Sequence, residues 1–388
     1  MNNETNRNVY LDNSATTRPY DFVIDLMVKI MAADYGNPSS LHRMGLAAEE
    51  YVKTARGQVA QALGASPEEI FFTSGGSESD NTAIFGAAYK GRRRGKKVLT
   101  SAVEHPAVLE AYARLAEEGF ETVLLPVDDR GILDMDAFDQ AMDDDVILIS
   151  VMHVNNETGA IQPIEEIAKK KRQALFHVDM VQSFGKLPID LSGAFQGVDM
   201  ASVSGHKIHG PKGIGALYIR RGLTIRPFLV GGGQEKGMRS GTENVPAIAG
   251  LGLASEIIYK NREKKNDHLR ALTGAMRTWF AENMDGILFN SCVDGAPHIL
   301  SVSFEKTRGE VLLLTLEQSG IYVSTGSACS SNKKGQSHVI KAMGRTDKQV
   351  EGTLRFSLCD ETTMDDVRYA CEKTKEAVER FRRLGSFR

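Results

Sequence analysis

Ser202-Val-Ser204-Gly-His206-Lys207-Ile-His209-Gly-Pro-Lys-Gly213 decides how the rest of the chain reads. A short apolar strand, Met200 to Val203, runs into a lysine set among small and imidazole-bearing residues. Upstream, Phe176-His177-Val-Asp179-Met-Val-Gln182 is a second apolar strand that delivers an aspartate at its C-terminal end. A carboxylate and an amine at the ends of two neighbouring strands suit pyridoxal 5'-phosphate, since the carboxylate keeps the pyridine nitrogen protonated and the amine holds the aldehyde carbon. Alone, Lys207 also reads as a solvated loop lysine and Asp179 as a helix N-cap.

Working outward, apolar strand candidates recur at Ile70 to Thr73, Val98 to Ser101, Thr122 to Pro126, Val146 to Met152, Leu175 to Asp179, Met200 to Ser204 and Ala216 to Ile219, several of them separated by helical stretches. That alternation predicts an α/β fold with a mostly parallel sheet of seven strands. Ligands collect beyond the strand C-terminal ends in such sheets, which is where His105, Asn156, Asp179 and Lys207 fall. Between the first strand and the next helix lies Ser74-Gly75-Gly76-Ser77. A glycine turn feeding a helix N-terminus exposes backbone N–H groups, so Gly75, Gly76 and Ser77 are the candidate phosphate cradle. After about Asn244 the pattern changes to a long helical stretch, a strand from Pro297 to Phe304, and an amphipathic helix from Met364 to Phe381 with Thr363 and Asp366 as its capping pair.

The chain has 388 residues, 41% hydrophobic and 25% charged, in the range of an ordinary globular protein of about two domains. A formal charge of −3 gives no global attraction for nucleic acid, and Arg92-Arg-Arg94-Gly-Lys-Lys97 reads as a solvated loop. The N-terminus has no apolar signal core and no stretch approaches a membrane span, so a cytoplasmic protein is expected. Four cysteines, Cys292, Cys329, Cys359 and Cys371, lack metal-ligand or disulfide spacing, and no metal site is expected. Cys371 falls on an apolar helical face with Val367 and Val378. Cys329 differs, because Ser324-Thr-Gly-Ser-Ala before it and Ser-Ser-Asn-Lys-Lys-Gly-Gln after it compose a turn-forming, exposed segment.

Ser204-Gly-His-Lys207, His177-Val-Asp179 with Gln182, and Ser324-Thr-Gly-Ser-Ala-Cys329 together resemble the NifS/IscS group of cysteine desulfurases, fold-type I pyridoxal phosphate enzymes of the class-V aminotransferase family. The resemblance extends from Tyr10-Leu-Asp-Asn-Ser-Ala-Thr-Thr17 to Leu354-Arg355-Phe-Ser-Leu358. It implies a large cofactor domain, 16–244, and a small domain made of 1–15 and 245–388. It also implies that His105 stacks on the ring and moves protons, that Asn156 and Gln182 lie beside the ring, and that Ser204, His206 and, from a neighbouring subunit, Thr242 contact the phosphate. Arg355 and Asn37 would hold the substrate carboxylate, with Cys329, Lys207 and His105 catalytic.

The implied reaction turns L-cysteine into L-alanine and leaves a persulfide on Cys329, in a homodimer that hands the sulfur to an acceptor protein. A selenocysteine lyase, another aminotransferase or a non-catalytic sulfur-relay scaffold are the alternatives. The sequence departs from the group at Met180 and at Cys359-Asp360, and it ends soon after its last helix, without the longer tail with which the IscS branch meets its scaffold. The acceptor is thus open among a cluster scaffold, a tRNA-thiolating enzyme and a cofactor-biosynthesis protein.

Overall fold

A computed structural model of the chain describes residues 7–325 and 336–385. Its centre is a seven-stranded sheet in the order Ile70–Thr73, Gly215–Ile219, Met200–Ser204, Leu175–Asp179, Val146–Met152, Lys97–Ser101, Glu121–Leu125. All neighbouring pairs are parallel except those made by Gly215–Ile219, which is antiparallel to both its neighbours. The connection from Ser204 to Gly215 explains the reversal, being too short for the crossover that a parallel neighbour needs. Val146–Met152 is buried at every position. A strand covered on both faces reads as an unbroken apolar run, and that is why the sequence shows no alternation there.

The helix Arg43–Leu63 begins at His42 and ends where Gly64 turns left-handed at φ 62°, a conformation in which a side chain would be strained. Its face of Val52, Ala55 and Val59 meets Val245, Ile248 and Leu251 of the helix Val245–Lys260 in one large core. A second core gathers around an antiparallel sheet, Thr353–Ser357, Ile299–Phe304 and Ile287–Phe289. Against it pack Leu269, Met276 and Phe280 of helix Arg262–Asn283 and Val367, Cys371 and Val378 of helix Met364–Gly385. The latter starts with a reciprocal cap, Asp366 N donating to Thr363 Oγ1 at 3.1 Å and Thr363 N to Asp366 Oδ2 at 3.0 Å.

Val9–Tyr10 pairs in parallel with Ile321–Tyr322, and Val9 and Leu11 fill the second core. Val245–Lys260 belongs by its packing to the large unit, because Gly252 lets its backbone approach so closely that a Cβ there would stand 2.5 Å from Ala55 Cα. Among the described residues no helix is long and apolar enough to cross a membrane.

Candidate active site

Asp179 and Ser202 are register partners on adjacent parallel strands, so both chains leave the sheet at the same edge. Beyond Ser204 the turn Gly205–Lys207 brings Lys207 back over that edge. A cavity of ≈ 270 Å³ opens here. It is lined by Lys207, Asp179, His105, Asn156, Gln182 and Arg355, and on another wall by Gly76, Ser77, Ser204 and His206. Ten residues singled out in the sequence thus converge from four strand ends of the large sheet, one strand of the small sheet and a helix start.

Lys207 Nζ donates to the carbonyls of Ser14 at 2.5 Å and Ala15 at 2.7 Å. Gln182 Nε2 donates to the same Ser14 oxygen at 3.0 Å. The N-terminal arm is held against the turn by Thr17, whose N donates to His206 O at 2.8 Å and whose Oγ1 accepts from His209 N at 2.7 Å. Backbone oxygens therefore orient the amine. These contacts could not be read from side-chain types.

Asp179 is 6% exposed, and its Oδ1 accepts from Val181 N at 2.9 Å. Burial pushes its carboxyl up to about 6, against the opposing pull of Val181 N–H and Lys207. Behind it lies Asp80, a pocket residue the sequence reading missed. Burial first, and the neighbouring Asp179 second, hold the Asp80 carboxyl well above the usual range. Near neutral pH the negative charge of this pair accordingly sits on Asp179. His177 supports the floor, with Nδ1 2.7 Å from Ser150 Oγ and Nε2 2.8 Å from Ser202 Oγ. Asp80 lies one helical turn after Ser77, and the packing of the helix against the sheet turns it inward.

The helix Gly76–Gly91 points its N-terminus at the cavity. Gly76 is needed for close packing, since a Cβ there would come 2.8 Å from Val181 Cγ2. Gly75 lines an adjoining recess with Thr16, Lys212 and Gly213, extending the cradle toward two cationic side chains, His206 and Lys212, when His206 is protonated. Burial lowers His206 to about 4, so Lys212 supplies the standing charge.

His105 caps the helix Pro106–Glu117, its Nδ1 accepting from Ala107 N at 3.1 Å. Burial first, then Lys207 and His338, bring it down to about 4, so the ring is neutral and carries its proton on Nε2. Arg355 is 3% exposed, in the strand Thr353–Ser357. Its Nη1 donates to Asn156 O at 2.8 Å, its Nη2 to Asp12 Oδ1 at 2.7 Å, and its Nε is buried without a hydrogen-bond partner. Asp12 is the second residue missed, although it lies inside the quoted Tyr10 to Thr17 segment.

Asn37 and Thr242 do not join the cavity. Both are exposed, and Asn37 Oδ1 accepts locally from Ser39 N at 3.0 Å. Cys329 lies outside the described residues.

The donors present fit pyridoxal phosphate. A buried carboxylate on the cavity floor complements a ring N–H, a helix N-terminus with Ser77 and Ser204 complements a phosphate, and a lysine amine stands between them. Filling Gly76 with a Cβ would close the approach that such a phosphate needs.

The class-V aminotransferase family matches residues 9–369. A cysteine desulfurase IscS from Methanosarcina thermophila is 44% identical over 388 residues, covering 98% of this chain and 94% of that protein. A solved NifS-like protein superposes with a TM-score of 0.90 at 40% identity, covering 96% of this chain and all of that one. A structure of SspA in complex with cysteine follows at TM-score 0.80 and 34% identity, over 92% of this chain and 100% of that one.

Proposed function

The chain belongs to the class-V aminotransferase family, and from that premise we infer that it is a pyridoxal phosphate-dependent cysteine desulfurase: L-cysteine and the Cys329 thiol give L-alanine and a Cys329 persulfide. The observation that carries the reading is the meeting of Lys207, Asp179 and Arg355 in one cavity beside a helix N-terminus. The cofactor, when bound, supplies an electron sink for charge that develops at the substrate α-carbon.

The chain's own groups do the rest. Asp179 holds a proton at the ring nitrogen, and neutral Asp80 leaves it the only charged carboxyl of the pair. Gly76, Ser77, Ser204 and His206 hold the phosphate. Lys207 would hold the cofactor in the resting protein and would move the substrate α-proton on Nζ. His105, with its proton on Nε2, donates toward the ring side of the cavity. Arg355 offers its free guanidinium hydrogens to the substrate carboxylate while Asp12 and Asn156 O keep its plane fixed.

The assembly is a homodimer in this reading. The helix Asp21–Ala32 exposes Ile24, Val28 and Met31 on one side, an apolar face that a second copy would cover, and exposed Asn37 and Thr242 would serve the partner's cavity or a closed form of their own. An acceptor protein in iron–sulfur cluster assembly or tRNA or cofactor thiolation takes the sulfur onward, in the cytoplasm. Product analysis tests the reaction: purified protein given L-cysteine yields alanine, whereas a keto acid would return the chain to the aminotransferases and selenide from selenocysteine alone to the lyases.

A further inference from the structure

Behind Lys207 a second, smaller cavity of ≈ 30 Å³ lies between the two large cores, with Ile258 on one side and Leu269 and Leu358 on the other. His209, Cys359 and Asp360 border it. Neither Cys359 nor Asp360 has a part in the chemistry above, and both stand where the sequence departs from the group it resembles. His209 Nε2, Cys359 Sγ and a carboxylate oxygen of Asp360 all lie within 4.8 Å of one another. Spacing along the chain shows no such cluster, because the fold alone brings the turn after Lys207 against the segment after Leu358.

Each donor is held from outside the cluster. His209 is buried at φ 60°, its N donating to Thr17 Oγ1 at 2.7 Å and its O accepting from Tyr20 N at 3.1 Å. Its Nδ1 donates to Arg18 O at 2.9 Å, so the neutral ring keeps its lone pair on Nε2. Asp360 Oδ2 accepts from Tyr20 OH at 2.9 Å and pairs with Lys265 Nζ at 2.6 Å. Asp360 Oδ1 is buried without a hydrogen-bond partner and stands 3.3 Å from His209 Nε2. Two lone pairs therefore face each other, which is unfavourable unless a cation lies between them. Cys359 N donates to Thr362 Oγ1 at 3.1 Å, which sets the turn that carries the thiol.

We propose that His209 Nε2, Cys359 Sγ and Asp360 Oδ1 are three ligands of a zinc ion, with a water, for which the cavity has room, as the fourth. A mixed nitrogen, sulfur and oxygen set suits zinc. In a tetrahedron with bonds of about 2.0 Å, a nitrogen and an oxygen ligand stand about 3.3 Å apart, the separation found between His209 and Asp360. The sulfur has to close in by about 1.2 Å at most to reach its own bond length. The carbonyl on Nδ1 and the phenol and ammonium on Oδ2 are outer contacts of the kind that aim ligands at a metal. Thiolate and carboxylate together balance the charge of the ion, and the thiol proton leaves to solvent on binding. Lys186 and Lys207 line the same cavity, so the affinity lies below that of a site with no cations nearby. The bound ion would clip the segment after Leu358 to the turn that presents Lys207.

The test uses the cofactor-loaded full chain carrying Cys329→Ser, so that the thiol assigned to sulfur transfer does not compete, stripped of metal by a chelator. Equilibrium dialysis with zinc alone is expected to give one ion per chain with release of a proton. Cobalt, read as a difference spectrum, should give the intense visible bands of a tetrahedral site together with a thiolate charge-transfer band. Cys359→Ser, Asp360→Asn and His209→Gln should each lower zinc affinity about tenfold or more, while Cys292→Ser leaves it unchanged. Zinc should raise the unfolding midpoint of the parent protein and not that of Cys359→Ser. Cofactor absorbance like that of the parent shows that a variant has folded, and the cobalt spectrum of the parent needs no variant.

No zinc on the parent protein, cobalt bound without a thiolate band, or Cys359→Ser binding zinc as tightly as the parent overturns the inference and leaves a shared proton between His209 and Asp360. Any of these results leaves sulfur transfer to Cys329 untouched, since no step of it passes through this cluster.

Discussion

Arg355 Nη2 donates to Asp12 Oδ1 at 2.7 Å, joining residues 343 positions apart in the chain. The bond crosses from the last strand of the small sheet to the N-terminal arm, and that arm also supplies the Ser14 and Ala15 carbonyls that hold Lys207. The groups proposed to grip the substrate carboxylate and to attach the cofactor, Arg355 and Lys207, are thus oriented by one short segment. Arg355→Lys keeps the charge but loses the planar fork. It is expected to raise the KM for L-cysteine by about two orders of magnitude, from the ~2–5 kcal/mol that truncating a buried paired charge costs, while the cofactor spectrum stays native. Steady-state alanine formation checks it.

Asp12→Asn is expected to act in the same direction more weakly. Its amide oxygen still accepts from Arg355 but the charge is gone, and the loss is about 1–2 kcal/mol in kcat/KM, the difference between a charged and a neutral partner. The same kinetic assay, run beside Arg355→Lys, ranks the two.

The raised Asp179 carboxyl makes a pH prediction for the cofactor-free protein. A folded value of about 6 against 3.8 unfolded means that the folded state takes up the proton first as pH falls. The contribution to stability is fully present below the unfolded value and is lost as pH rises through about 6. Asp179→Asn removes this titration. Above about pH 6 the variant should therefore have the higher denaturant midpoint, and the two midpoints, both without cofactor, should converge as pH falls from about 6 toward 4. Cofactor loading should reverse the order near neutral pH, on the proposed pairing of Asp179 with the ring nitrogen.

Gly76→Ala places a Cβ against Val181 Cγ2 at 2.8 Å. Overpacking of this kind costs about 1–3 kcal/mol, and the backbone it displaces is the proposed phosphate cradle. Cofactor affinity measured by equilibrium dialysis should fall about tenfold or more, and Val181→Ala in the same chain should restore most of it by opening the space.

How much of this was legible before the structure depends on what kind of atom does the work. Lys207 and Asp179 stand at the ends of apolar strands, and Gly75, Gly76 and Ser77 interrupt a strand just before a helix, so pattern alone marks them. The Ser14 and Ala15 carbonyls are backbone atoms and carry no residue-type signal. Asp80 reads as an acidic residue in the first turns of an ordinary helix, and only the burial of that helix against the sheet turns it inward. Val245-Pro-Ala-Ile-Ala-Gly-Leu-Gly-Leu-Ala is apolar all round, so no stripe in the sequence says that it packs on the helix Arg43–Leu63. Asn37 and Thr242 came from resemblance and have no local pattern, and they lie on the surface of their own chain.

Lys207 attachment is open to a direct check. Borohydride reduction of the loaded protein should add the cofactor's mass to the peptide carrying Lys207, and Lys207→Ala should show none while still binding the cofactor through the cradle.

The central claim is that the sulfur of L-cysteine arrives on Cys329. One equivalent of sulfur-labelled L-cysteine, added to the loaded protein and quenched with an alkylating agent, is followed by peptide mass spectrometry and alanine quantitation. The account predicts labelled persulfide on Cys329 in step with alanine, and neither in Cys329→Ala. Labelled persulfide on Cys359 or another cysteine, or alanine without any protein-bound sulfur, would contradict it.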